Sequence, residues 1–398
     1  MKKTGFVIAG LAATLFASTA FADVAVKLGV LNDRSGVYSD LAGEGSVIAA
    51  QMAVEDYKAA DKGITVEIIS ADHQNKPDIA SNISRQWYDQ DGVDVILDVP
   101  TSSAALAVAE ITREKNKIFL NSGGGTSDLT GKACSPNTIH WTYDSWQLSN
   151  GTASAVVANG GKKWFFVTAD YAFGQAMERD ATAVVKAGGG EVVGSIRHPF
   201  PGTDFSSYLL QAQSSGAEVV AFANAGGDTI NSVKQASEFG LAQSGQRLAG
   251  LLVFANDVHS LGLETAQGLT LTESFYWDLN DQTREWSARF EEKMNKKPSM
   301  VQAGVYASVL HYLKAVEALG DKDPTKVLAK MKETPTDDIL FGKGMIRVDG
   351  RKIHQSYLFQ VKKPEESKGE WDLYNLVTTI PAEKSFRPLD QGGCSLVK

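Results

Sequence analysis

The chemistry open to this chain concentrates in two short polar stretches. Ser102 and Ser103 follow Asp98-Val99-Pro100-Thr101 at the predicted start of a helix, and Gly123-Gly124-Gly125-Thr126 follows Asn121-Ser122. Hydroxyls at a helix start sit beside free backbone N–H groups and the positive end of the helix dipole, which favour an anion. A run of glycines lets main-chain N–H groups approach a ligand closely, and Thr126 adds a hydroxyl. Together they form a neutral cradle suited to a carboxylate. Plain N-capping by Ser102 and a tight turn at the glycines are the competing structural readings.

Other chemistries fail on detail. Gly43-Glu44-Gly45 lacks the third glycine of a dinucleotide loop, and Glu44 would repel phosphate. There is no Gly-Lys-Ser/Thr phosphate loop and no Gly-x-Ser-x-Gly elbow. The six histidines (His73, His140, His198, His259, His311, His354) are scattered, with no two at metal-ligand spacing. Asp33, Asp40 and Glu44 read as solvated carboxylates. No catalytic residue, cofactor or metal is expected, and the chain reads as a binding protein rather than an enzyme.

The N-terminus reads as an export signal. Lys2 and Lys3 precede an apolar run from Phe6 to Phe16, and Ala20-Phe21-Ala22 is a small-x-small cleavage site, so the mature chain is expected to begin at Asp23 in the periplasm. The formal net charge of −8 becomes more negative once those lysines are removed. An acidic surface argues against nucleic acid and anionic membrane as partners. The only cysteines, Cys134 and Cys394, lie in loop-like contexts. Export makes a disulfide tying the C-terminal tail to the body the expectation, with two separate free thiols as the alternative.

These loops must be positioned by alternating strands and helices. Strand-like runs at Val24–Leu31, Thr65–Ala71, Val93–Val99 and Ile118–Asn121 alternate with helical runs at Ser46–Tyr57, Ile79–Gln90 and Ala104–Lys115. The rhythm restarts with strands at Trp164–Thr168, Glu191–Arg197 and Val219–Ala223 and helices at Gly174–Ala187 and Phe205–Ser214. Thr138 to Trp146 reads as a direct crossover between the two blocks. Thr283–Met294 and Val301–Leu319 read as long amphipathic helices, and Tyr357–Lys362 and Trp371–Val377 as strands. Two α/β doubly wound parallel sheets are predicted, and ligands of such sheets sit beyond the carboxyl ends of the strands.

Several marks in this order resemble the branched-chain amino acid (Leu/Ile/Val-binding) family of periplasmic substrate-binding proteins of ABC transporters. They are Gly29-Val30 through Ser35-Gly36, Asp72 with Pro77 and Ala80, Thr101-Ser102-Ser103, Asn121 to Thr126 closing on Leu129-Thr130, Asp170 to Gly174, and Asp204-Phe205-Ser206. The resemblance implies the type I periplasmic-binding-protein fold: two doubly wound lobes joined by three hinge crossovers, with ligand in the interlobe cleft. Residues 23–143 plus 278–355 would form the N-terminal lobe, and 144–277 plus 356–398 the C-terminal lobe, after a signal peptide at 1–22. It also implies a ligand carboxylate held by Ser102 or Ser103, Gly124 and Thr126. Aromatic cover would come from Phe173, with Tyr171 close by, and from Tyr38 on the first loop. Arg34 is a further candidate carboxylate partner. Amino-acid binders of this family place an acid in the second lobe, where this chain has the apolar Gly250-Leu251-Leu252-Val253-Phe254-Ala255, with Asp257 the nearest acid. An unpaired buried ammonium is costly, so an apolar or aromatic acid is favoured, with Phe254 in the wall. The implied partners are that small molecule and an inner-membrane ABC permease, with the protein a monomer. Branched-chain or other amino acid binding, a ligand-sensing receptor partner and an exported hydrolase are the alternatives.

Overall fold

The computed structural model describes residues 23–398; the expected export signal lies outside the described residues. The first sheet gathers β1 (Val24–Asn32), β2 (Ile64–Asp72), β3 (Val95–Asp98), β4 (Ile118–Asn121) and β5 (Thr138–His140) in the order β2-β1-β3-β4-β5, all parallel. The helices between them are α1 (Gly43–Tyr57), α2 (Pro77–Asp89) and α3 (Ser102–Glu114). Every residue of β3 and β4 is buried, as expected of parallel strands covered on both faces. Gly29 on β1 leaves room for Trp87 of α2: a Cβ there would lie 2.5 Å from the indole.

The chain then enters α4 (Ser145–Ala158) and builds a second parallel sheet. Its strands are β6 (Lys163–Ala169), β7 (Glu191–His198), β8 (Val219–Ala223) and β9 (Arg247–Gly250), ordered β7-β6-β8-β9. Its helices are α5 (Ala172–Ala187), α6 (Ser206–Ser214), α7 (Gly227–Glu238), α8 (Ala255–Leu261) and α9 (Leu263–Ala266). β10 (Thr270–Glu273) follows, and the chain crosses to α10 (Asp281–Met294), α11 (Met300–Leu319) and α12 (Pro324–Glu333). α10 and α11 pack against α1. Strands β11 (Thr336–Asp338), β12 (Gly342–Ile346) and β13 (Lys352–Ile353) form a small antiparallel sheet. β14 (Ser356–Val361) then pairs with β10 and with β15 (Tyr374–Ile380). The chain is thus a two-lobed α/β protein with parallel sheets flanked by helices.

Four readings of the sequence need correction. Thr138 to Trp146 is not all crossover: Thr138–His140 completes the first sheet beside β4, so the crossing is only Trp141 to Asp144. Helix α11 is not amphipathic; it is buried almost all round, wedged against α1 and the first crossover, where a Cβ on Gly304 would lie 1.9 Å from Thr142 Oγ1. Trp371 belongs to a loop ahead of β15, because its carbonyl is taken by the phenol of Tyr276 at 2.7 Å and the indole of Trp277 at 2.8 Å. Asp33 is fully buried rather than solvated.

The two cysteines are joined. The Cys134–Cys394 disulfide ties the C-terminal tail to the loop that follows β4. Beside it, Arg387 of the tail donates to the Ser127 carbonyl at 3.0 Å.

The crossovers hold a buried ionic cluster. Arg351 bridges to His140 in the main chain, donates from Nη1 to the Tyr143 carbonyl at 2.9 Å and lies 3.6 Å from Asp144. Its guanidinium sits 4.3 Å from the Phe386 ring centre. Lys352, also buried, lies between the rings of Trp141 and Phe341 and 3.5 Å from Asp338. Burial lowers the pKa of Lys352 to about 8.

Candidate functional site

The strand ends of both parallel sheets face one another across a cleft, and each facing loop has a local reason for its shape. After β1, the buried Asp33 carboxylate accepts from the amides of Gly36 (2.7 Å) and Tyr38 (2.8 Å) and from Asn75 Nδ2 (2.6 Å). This side-chain-to-backbone turn aims Tyr38 at the second lobe. After β3, Asp98 and Val99 hold φ of +78° and +55°, a conformation disfavoured for a β-branched residue and characteristic of functional sites. Burial raises the Asp98 pKa to about 6.

Ser102 is not the N-cap of α3. That position is Thr101, whose hydroxyl is engaged with Asn75, so no side chain caps the helix. The first-turn amides are left without a side-chain cap. Ser102 Oγ instead accepts the Thr126 amide at 3.1 Å and braces the glycine loop, while Thr126 Oγ1 accepts from Asp128. Ser103 is half-buried beside it. Within the loop, a Cβ on Gly124 would strike Asn121 and Ala105 of its own lobe, whereas one on Gly125 would lie 2.8 Å from the Phe173 ring across the cleft. Gly125 therefore meets the second lobe, and Gly124 packs within its own.

The second lobe answers with aromatic rings. Tyr171 and Phe173 open α5, and Gly174 is obligatory there because its Cβ would fall 2.1 Å from the Ala169 carbonyl. The Tyr38 and Tyr171 phenols meet in a short hydrogen bond between the lobes. Phe254 is fully buried and packs edge-on against Tyr143, 5.2 Å between centroids. Tyr143 donates to the Gly123 carbonyl at 2.5 Å. At the centre is a cavity of about 10 Å³ lined by Tyr38, Leu41, Pro100, Gly125, Tyr143, Tyr171, Phe173, Ala225 and Leu252. No charged side chain lines it. Burial raises the pKa of Tyr38, Tyr143 and Tyr171 alike, so all three are neutral hydroxyls at physiological pH.

The structure thus brings together Tyr38, Tyr171 and Phe173, with Phe254 one layer behind, and sets Ser102, Ser103, Gly124 and Thr126 in the adjoining wall. It does not bring Arg34 to the cavity. Arg34 faces a separate outer groove of about 580 Å³, paired with Glu44 and donating to Ser70 Oγ at 2.8 Å. The lobes also meet main chain to main chain: the Gly227 amide donates to the Val37 carbonyl at 3.1 Å. Gly226, at φ +55°, permits that approach, since its Cβ would lie 2.4 Å from the same oxygen.

Sequence reasoning missed Tyr143, Phe200 and a buried second-lobe acid, Asp228. The last had a signal: it opens a helix after β8 in Gly226-Gly227-Asp228. Its Oδ1 accepts the Gly202 amide at 3.0 Å, while Oδ2 has no partner and lies 3.9 Å from His198 Nδ1. Burial raises its pKa to about 7. A carboxyl raised in the fold stabilises it at low pH, and that stability is lost as pH climbs from its unfolded value near 4 to about 7, by roughly 1.4 kcal/mol per pH unit. The Asp228→Asn variant is therefore expected to gain melting temperature relative to the parent between pH 5 and pH 8. A constant difference across that range would refute the assignment.

The sequence profile of the Periplasmic binding protein family matches residues 25–370. The chain belongs to that family. The Leu/Ile/Val-binding protein homolog 6 of Brucella melitensis is 30% identical over 369 residues, covering 89% of this chain and 91% of its own. A periplasmic binding protein of Burkholderia mallei superposes with a TM-score of 0.92 at 49% identity, over 94% of this chain and all of that one. A branched chain amino acid ABC transporter periplasmic ligand-binding protein of Burkholderia xenovorans LB400 gives 0.83 at 42%, over 94% of this chain and 100% of its own. This periplasmic binding protein is a solute-binding component of ABC transport, as its resemblance to the Leu/Ile/Val-binding group implies. Among its described residues, no helix is long and apolar enough to cross a membrane.

Proposed function

We propose that this protein captures a small ligand bearing a carboxylate on an apolar or aromatic body and hands it to an inner-membrane ABC permease. The observation that supports this reading is the lining of the inner cavity, four aromatic rings and aliphatic neighbours without a charged side chain. Beside Pro100, the uncapped first turn of α3 and the glycine loop offer N–H donors to the acid. The neutral phenols add hydroxyls. In this reading the mature protein begins at Asp23, works in the periplasm as a monomer, and divides into lobes of 23–143 plus 278–355 and 144–277 plus 356–398.

A branched-chain amino acid is the second reading. It is favoured by Asp228, whose free Oδ2 lies in the second lobe near Tyr38 and Tyr171 and would accept an ammonium that reached it. A thermal-shift panel separates the two. Benzoate and 4-methyl-2-oxopentanoate are expected to raise the melting temperature, with about 2.7 kcal/mol of stabilisation at a hundredfold excess over Kd. Response to leucine or valine with both acids silent would reject the carboxylate reading. Ser103→Ala is expected to weaken acid binding.

A further inference from the structure

We propose that Phe200 is the lid of the cleft and the side chain that limits ligand length. This rests on the reading of the cleft as an apolar carboxylate site. Phe200 lies in the loop after β7, where Pro199, Pro201, Thr203 and Asp204 are exposed. Its ring is only partly buried, yet it stacks on Tyr171 of its own lobe at 4.1 Å and 18° and on Tyr38 of the other lobe at 5.5 Å and 27°. The Tyr38–Tyr171 hydroxyl pair closes the gap between the lobes, and Phe200 covers both rings.

The central cavity of about 10 Å³ has room for no more than one water, so an organic ligand must displace part of the wall. Tyr38, Tyr143 and Phe173 are buried and packed on several sides. Phe200 lies outside the cavity lining, over Tyr171 and Tyr38, on a loop whose Pro199, Pro201, Thr203 and Asp204 are exposed, and that loop is anchored behind it by Gly202 on Asp228 and Phe205 on Gln235 (2.8 Å). The ring can swing without disturbing its anchors. Because one of its two stacking partners is on the opposite lobe, the ring also holds the lobes together.

The test is a selectivity ratio. Wild type is expected to prefer benzoate over biphenyl-4-carboxylate, and Phe200→Ala to reduce that preference about tenfold, the loss of a stacked aromatic cover. Phe200→Leu, which keeps apolar volume, is expected to fall between. In ligand-free solution, small-angle scattering should give Phe200→Ala a larger radius of gyration than wild type. A ratio unchanged within about twofold together with equal radii would overturn the proposal. If neither acid binds wild type, the carboxylate reading fails, and the lid stands or falls on the scattering comparison.

Discussion

Arg351→Met is expected to destabilise the protein by about 3–5 kcal/mol, measured by urea denaturation at neutral pH. Arg351 is fully buried, and burial lowers its pKa only to about 10, so it is charged. Its charge is opposed by Asp144: burial alone would raise that carboxyl's pKa, but Arg351, with His140 and the Gln147 amide, holds it below the usual carboxylate range. Removing the cation leaves Asp144 buried at the N-terminus of α4 with its main ionic partner gone, and strips the Tyr143 carbonyl of a donor. The double variant with Asp144→Asn should cost clearly less than the sum of the singles, since neither charge then remains unpaired. A loss below about 1 kcal/mol for Arg351→Met would show that the cluster is not holding the hinge.

The second large effect belongs to the disulfide. Cys134 and Cys394 are 260 residues apart, so the bond closes roughly two-thirds of the chain into one loop. Chain-entropy arguments give about 5 kcal/mol for so long a loop, and native bridges typically deliver 2–5. The Cys134→Ser/Cys394→Ser variant should melt well below the parent and lose all sensitivity to reductant. If a thiol reductant leaves the parent's melting temperature unchanged while free thiols appear, the bridge does not contribute.

What could be read from the sequence was local. β4 and β8 are found to the residue because β8 is an unbroken apolar run between Glu218 and Asn224, and β4 is an apolar run closing on Asn121. The cleft loops follow from strand ends, and the family resemblance points within them to Tyr38, Tyr171 and Phe173, which line the inner cavity. What failed required the third dimension. Spacing cannot say which of three glycines approaches the other lobe, and it is Gly125 that meets Phe173. Gly350-Arg351-Lys352 has the composition of a surface turn, and nothing in it announces two buried cations facing acids over two hundred residues and fourteen residues away. Phe200 becomes meaningful only when Tyr38 arrives from the other lobe.

The Gly226 contact has a bearing on transport. The main chain of one lobe touches the main chain of the other, Val37 against Gly226 and Gly227. Main chain has no rotamers to adjust, so this contact is a mechanical stop rather than a cushion. In the proposed role, ligands of different size would then have to be accommodated by side chains such as Phe200 while the lobes keep this one spacing. The permease of the proposed function would then meet one outline, whatever the cargo.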